Sequence, residues 1–310
     1  MPSLIIINRF IELLKRANKN ETGVLVLQIR INFKRKGLFI LSSCFVLILI
    51  VSLAGCTQFI FQPHRMHYMT PDVANVIYED LVIQSSDQIE LHGWKLITPE
   101  QYRGSILFFH GNGQNISSHF ANVYWLTEYG YNVYLFDYRG YGKSGGVAAL
   151  DNIVLDLQAM IAEPLRLISD EEALTIIGHS LGGSLAIYAV ANSQSKQRIK
   201  SLVTIGAFSD YHAVAQDTLS TSWLTCLFQW PLSFTIDNSY RPLDVIDRVS
   251  PAPLMIMHSR KDNVIPYYHA EALFATASQP KFMQPIDSDH NHAFNRPQNR
   301  ELLLDFLMIH

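Results

Sequence analysis

The chain has 310 residues, 48% of them hydrophobic, enough for a large core, so one sizeable α/β domain is the simplest organisation. Its 24 basic and 27 acidic residues leave a formal net charge of −3, and outside the N-terminal segment there is no basic block of the kind that tracks phosphates, so no nucleic-acid partner is expected. Cys44, Cys56 and Cys226 have no C-x-x-C spacing, which argues against zinc, redox chemistry or a disulfide framework.

Residues 34 to 56 read K-R-K-G-L-F-I-L-S-S-C-F-V-L-I-L-I-V-S-L-A-G-C. A basic cluster, an uncharged apolar run from Leu38 to Leu53, then small residues and a cysteine follow the order of an export signal. Leu53-Ala54-Gly55-Cys56 resembles the lipobox of bacterial lipoproteins, which implies cleavage before Cys56 and a diacylglycerol on its sulfur. Two other readings stay open: an uncleaved signal anchor, since the run approaches the ~18-residue lower limit for spanning, and a buried helix. Lipidation and signal anchor both leave Lys34, Arg35 and Lys36 cytoplasmic and export the body, so a membrane-held exported protein is expected. About thirty residues precede the signal, more than export needs; the expectation is a translation start downstream of Met1. On this division residues 1–55 are extension and signal, 56–71 a polar and aromatic tether, and 72–310 the domain.

Within the domain, Ile77 to Ile83 and Ile89 to Ile97 are β-branched or alternate with period two and flank an S-S-D-Q turn, predicting an antiparallel hairpin at a sheet edge. Short apolar runs follow at Ser105 to Phe109, Val133 to Phe136, Ala173 to Ile177, Ser201 to Ile205, Leu254 to His258 and Lys281 to Ile286. They read as strands buried on both faces in a mostly parallel eight-stranded sheet. Helical spacing marks Ile116 to Tyr129, Asp151 to Leu167, Leu181 to Asn192, Tyr268 to Ala277 and Pro297 to Met308, which cover both faces. Between Phe208 and Val249 the rhythm breaks. An insertion that long is usually functional, and Trp223, Leu224, Leu227, Phe228, Trp230 and Phe234 would make it an apolar lid, the bland alternative being core that covers the sheet's edge.

The strand ending at Ile177 runs into G-H-S-L-G-G, with Ser180 between Gly178 and Gly182 and a helix beyond. This is G-x-S-x-G in strand-turn-helix context: the serine occupies a strained turn where a Cβ at either flanking position would strike backbone. The helix also aims its unpaired N–H groups at the reaction centre, which makes the Leu181 amide a natural oxyanion donor.

Here the chain resembles the α/β-hydrolase superfamily over residues 76 to 310, closest to its membrane-anchored esterase, thioesterase and serine-aminopeptidase-like branch. L-F-F-H-G-N-G-Q-N, D-Y-R-G-Y-G-K-S-G-G and H-S-R-K-D-N-V-I-P carry the likeness in the expected order. The resemblance implies an α/β-hydrolase fold, a second oxyanion amide from Asn112, and loop-ordering roles for His110, Asp137 and Arg139. A serine needs a histidine to take its proton and an acid to orient that histidine, and chain order in this fold is serine, acid, histidine. The family's acid falls on Asp262, although Ser259 replaces its usual glycine; Asp244 and Asp247, which precede that strand, are the rivals. The family's base falls on His290 in D-H-N-H rather than on His292.

The resulting expectation is a serine hydrolase cleaving a carboxylic ester or thioester, with a small acyl substrate and no cofactor. Ser180 argues against the fold's dehalogenase and epoxide-hydrolase branches, whose resemblance would require an aspartate at that position. Amide cleavage and a non-catalytic binding module are the alternatives. No H-E-x-x-H or H-x-x-E-H run accompanies the histidine pair, so no metal is expected.

Overall fold

The computed structural model describes residues 61–221, 225–226 and 229–310. The proposed signal, Cys56, and four of the apolar insertion residues, Trp223, Leu224, Leu227 and Phe228, lie outside them. Among the described residues no helix is long and apolar enough to cross a membrane.

Eight strands form one sheet in the order β1-β2-β4-β3-β5-β6-β7-β8. They are β1 (Ile77–Gln84), β2 (Glu90–Ile97), β3 (Gly104–Phe109), β4 (Tyr131–Phe136), β5 (Leu174–His179), β6 (Ile199–Ile205), β7 (Leu254–Ser259) and β8 (Lys281–Ile286). β1 pairs antiparallel with β2, and β2 with β4; every later pairing is parallel. β3 to β7 are continuous apolar runs because both their faces are covered, whereas β8, expected to be buried in the same way, is the edge strand and buries only Ile286. One core layer packs α2 (Leu150–Leu167), α3 (Leu181–Ala191) and α6 (Tyr268–Thr276) on the sheet, and the other packs α1 (Ile116–His119) and α7 (Pro297–Ile309). α3 is buried almost throughout, so it is apolar all round, whereas α2 buries Ile153, Leu157, Met160 and Ile161 on one face.

Two expectations are corrected. The helix predicted from Ile116 to Tyr129 is only one turn, α1, followed by 3₁₀ turns at Phe120–Asn122 and Tyr124–Tyr129. The stretch is rich in aromatic, β-branched and Ser/Asn residues that form helix poorly. Side chains also take backbone carbonyls there: Trp125 Nε1 donates to the Asn122 carbonyl and Thr127 Oγ1 to that of Tyr124, each at 2.8 Å. The predicted tether is also no loose link over its described part. Phe61 is buried in the core, and His67 donates Nε2–H to Asp137 Oδ2 at 2.7 Å.

The described residues of the insertion after β6 include α4 (Tyr211–Ser220), α5 (Gln229–Ser233) and 3₁₀ turns at Pro242–Asp244 and Ile246–Val249. Asp210 caps α4 by accepting from the Ala213 amide at 2.8 Å, and α4 is tied to α6 where His269 and Tyr268 donate to Asp217 Oδ2 at 3.0 and 2.6 Å. Trp230 and Phe234 remain 60% and 64% exposed.

Arg139 locks the edge hairpin to the helical layer. Its guanidinium donates to Asp156, 2.8 Å from Nε, and in a fork to Asp87 at 2.8 and 2.9 Å. Asp156 is fully buried, so removing it leaves a buried guanidinium short of one carboxylate. Asp156→Ala is expected to lower the unfolding free energy by about 3–5 kcal/mol, read from urea denaturation; a loss near zero would mean that Asp87 and water suffice for Arg139.

Candidate active site

Ser180 sits between the end of β5 and the start of α3 with φ 53° and ψ −121°, a conformation that L-residues rarely adopt. The turn is held where Ser180 N–H donates to the Ile205 carbonyl at 2.8 Å, and the Gly183 and Ser184 amides return bonds to the Ser180 carbonyl. Its glycines are there for space. A Cβ on Gly182 would lie 2.1 Å from the Phe109 carbonyl oxygen, and one on Gly178 would lie 2.4 Å from that of Gly182.

His290 Nε2 lies 2.9 Å from Ser180 Oγ, and His290 Nδ1 lies 2.7 Å from Asp262 Oδ2. Residues far apart in the sequence thus form one hydrogen-bonded line, and the side chains of His290 and Asp262 are almost fully buried. Asp262 has its other oxygen occupied by the Val264 and Ile265 amides at 2.9 and 2.8 Å. Burial alone would raise the Asp262 carboxyl, but the bonds from His290 and these amides outweigh it and hold the group below the usual carboxylate value. Asp262 is therefore a fixed carboxylate facing Nδ1, which leaves Nε2 to accept the serine proton.

The second histidine of the pair is turned away. Asp289 accepts from the Asn291 and His292 amides and from His292 Nδ1, all at 3.1 Å or less, and His292 is exposed. Asp244 pairs with Arg241 on the surface. Ser259, the departure from the family's glycine, ties the two loops together: its Oγ donates to the Ser288 carbonyl at 2.6 Å, two residues before His290, and accepts from the Lys261 amide.

Leu181 is the first residue of α3, and Asn112 lies in the loop after β3 that α3 abuts through Gly182. Asn112 Oδ1 accepts from the Gln62 amide at 3.0 Å, the Gly113 amide at 2.8 Å and Tyr141 Oη at 2.9 Å. His110 is fully buried behind this loop, with its Nδ1 toward the Gly111 carbonyl and its own carbonyl accepting from Tyr138 Oη. Asp137 accepts from the Ile116 and Lys143 amides and from His67. Burial would raise it, but hydrogen bonds from His67, His92 and Ile116 hold it well below the carboxylate range. Both residues order loops, as the resemblance implies.

The sequence reading overlooked three residues. His179, at the variable position of the serine motif, donates Nε2–H to the His290 carbonyl at 2.9 Å. His258 at the end of β7 is fully buried 3.7 Å from Asp262 and holds the Ile265 carbonyl. Gly206, with φ 59°, sets its Cα where a Cβ would stand 3.2 Å from the His290 ring. Only their places at strand ends beside motif residues could have signalled them.

A cavity of about 670 Å³ adjoins the site, lined by Asn112, His119, His179, Asn291 and His292 and by Gln62 and His64 of the N-terminal segment. Among the described residues one cluster has metal-ligand geometry, His67, His92 and Asp137. It stands under the N-terminal segment, and both Asp137 oxygens already accept backbone N–H groups.

The chain belongs to the α/β-hydrolase superfamily. The family described as serine aminopeptidase, S33 matches residues 100–242. The uncharacterized protein YfhR of Salmonella typhi is 31% identical over 88% of this chain and 94% of its own length. The lysophosphatidylserine lipase ABHD12 of Xenopus tropicalis is 27% identical over 65% of this chain and 57% of its own. A solved esterase of Pyrococcus furiosus shares the fold with a TM-score of 0.66, at 20% identity, over 80% of this chain and 97% of its own.

Burial pushes the His110 imidazole down to about 3 and the His179 imidazole down to about 4; His119, more open at the cavity wall, is pushed in the same direction. The folded state holds them neutral while the unfolded chain protonates near pH 6.5, so their contribution is complete above that pH and is lost as pH falls toward 4. For His110 and His179 together the slope is on the order of 3 kcal/mol per pH unit. Urea unfolding at pH 7.5, 6 and 5 should show stability falling steeply below about 6.5, well before carboxylates titrate; a flat profile down to pH 5 would contradict neutral burial.

Proposed function

We propose that this hydrolase cleaves a carboxylic ester or thioester through an acyl-Ser180 intermediate. The observation that carries the reading is the continuous line Asp262 Oδ2, His290 and Ser180 Oγ at 2.7 and 2.9 Å. In the first half-reaction Ser180 Oγ attacks the acyl carbon as its proton passes to His290 Nε2. The carbonyl electron pair moves onto oxygen, which accepts hydrogen bonds from the Leu181 and Asn112 N–H groups. Collapse expels the alcohol or thiol, which takes the proton from His290. Water then attacks the acyl-enzyme with the same base, releasing the acid and free Ser180.

An ester or thioester is preferred to a peptide because, among the described residues, no carboxylate lines the cavity beside Ser180 to hold a substrate ammonium group. Exposed Trp230 and Phe234 on the insertion fit an acyl chain. A relative whose name specifies a lipase points the same way. A fluorophosphonate probe should label the chain, and the labelling should vanish in Ser180→Ala. His290→Ala and Asp262→Ala should lower kcat by about 10³-fold or more, while His292→Ala should keep most of it; labelling that survives Ser180→Ala would sink the assignment.

The same reading holds the enzyme at a membrane on the exported side, with lipid on Cys56. It rests on the basic cluster, apolar run and Leu-Ala-Gly-Cys order of residues 34–56. In Cys56→Ser the chain should remain unprocessed and lose its lipid label; a wild-type chain that is itself unprocessed and unlabelled yet stays on the membrane would favour a signal anchor instead.

A further inference from the structure

The residues that follow the lipobox, Phe61 to Tyr68, lie across two loops at once. Towards the Asn112 loop, Gln62 N–H donates to Asn112 Oδ1 at 3.0 Å, and His64 N–H donates to the Gln114 carbonyl at 3.2 Å. Asn115 answers with its side-chain amide, on the His64 carbonyl at 2.8 Å and the Met66 carbonyl at 2.7 Å. Towards the loop after β4, Gly142 N–H donates to the His64 carbonyl at 2.9 Å, and Arg65 reaches the Ser144 and Gly146 carbonyls. His67 donates to Asp137 Oδ2, whose partner oxygen takes the Ile116 amide at the start of α1.

What these bonds hold is a loop with strain of its own. Gly113 and Gln114 are consecutive residues with φ of 75° and 56°. For Gln114, which carries a Cβ, the left-handed region costs on the order of 1 kcal/mol, and such a conformation persists only where its surroundings over-determine it. The immediately preceding residue is Asn112, whose amide must point at the substrate oxygen if it is to stabilise negative charge there.

We propose that Phe61–Tyr68 is a positioning strap for the oxyanion loop: through Gln62, Asn115 and the His67–Asp137 pair it aims the Asn112 N–H. The proposal rests on the reading of Ser180 as nucleophile and Asn112 as oxyanion donor. None of the strap residues touches the reacting atoms. Their effect belongs in the transition state, where charge reaches the oxygen, and so in kcat rather than KM. The end of the membrane tether is then also a working part of the site.

The test separates the strap from the fold by single atoms in the full-length protein in detergent. Asn115 Oδ1 caps α1 by accepting from the Ser117 amide at 3.0 Å. Asn115→Asp keeps that cap but turns an oxygen on the two strap carbonyls, and Gln62→Pro deletes the N–H that the strap donates to Asn112 Oδ1. Both should lower kcat on p-nitrophenyl butyrate by about tenfold or more, with KM changed by less than about threefold. The pH–rate profile should be unmoved, because His290 and Asp262 are untouched. His67→Gln, whose amide nitrogen can reach Asp137, should retain most of the rate that His67→Leu loses.

Fluorophosphonate titration and the thermal midpoint count the folded, competent fraction in every variant. Folded variants with kcat within about twofold of wild type, or a loss explained wholly by that fraction, would overturn the strap. Should Asn115→Asp not fold, Gln62→Pro and the His67 pair decide. A wild-type chain that the probe does not label would bring down the hydrolase reading itself, a result the variants cannot mimic.

Discussion

The approach of α3 to the end of β3 is the constraint on which the site depends. Gly182 brings that helix so near the carbonyls of Phe109 and His110 that no side chain fits between. This contact sets the Asn112 loop beside the first amide of α3, and it accompanies the strained backbone of Ser180. The cost of that strain, about 1–3 kcal/mol, is offset by the bond from Ser180 N–H to Ile205 and by the buried packing of α3 on the sheet. The strained turn exposes a hydroxyl toward His290 because everything around it is rigid. A looser helix would relax both the turn and the donor geometry.

A second layer acts through neutrality. His110, His179 and His258 are buried around the Asp262–His290–Ser180 line, and burial keeps each of them uncharged by lowering its proton affinity. Uncharged imidazoles donate one fixed hydrogen bond apiece, to carbonyls of the loops that carry the site, without adding positive charge beside His290. Were they protonated, they would oppose the imidazolium that the proposed mechanism forms when Ser180 gives up its proton. Among the described residues the carboxylate that pairs with His290 is Asp262, at 2.7 Å from Nδ1.

Much of this was legible because the sheet writes itself into sequence as apolar runs and the serine turn demands glycine at fixed offsets. Chain order then separated His290 from His292, and Asp289, which folds His292 back onto the surface, supplies the physical reason. What stayed hidden depends on contacts between distant segments. Ser259 reads as a blemish in a pattern, yet its hydroxyl bridges the Asp262 and His290 loops. The helix expected at Ile116 fails because side chains capture backbone carbonyls, a competition that periodicity does not register.

The N-terminal segment shows the same limit most sharply. Its polar and aromatic composition is that of a linker, and composition reports only that a segment lacks its own core. It does not report whether the folded domain offers unpaired backbone groups for that segment to satisfy. Here the loops after β3 and β4 offer several, and residues 61–68 meet them with main-chain donors and acceptors that any sequence possesses. The side chains that add direction are few: Phe61 in the core, Arg65 on two carbonyls, His67 on Asp137. Asp137 explains why the arrangement is sited there. A buried carboxylate needs several donors to remain charged, the domain itself provides the Ile116 and Lys143 amides, and His67 provides another from the segment that precedes β1. The domain therefore takes in residues well before its first strand, among them Phe61, whose ring enters the core.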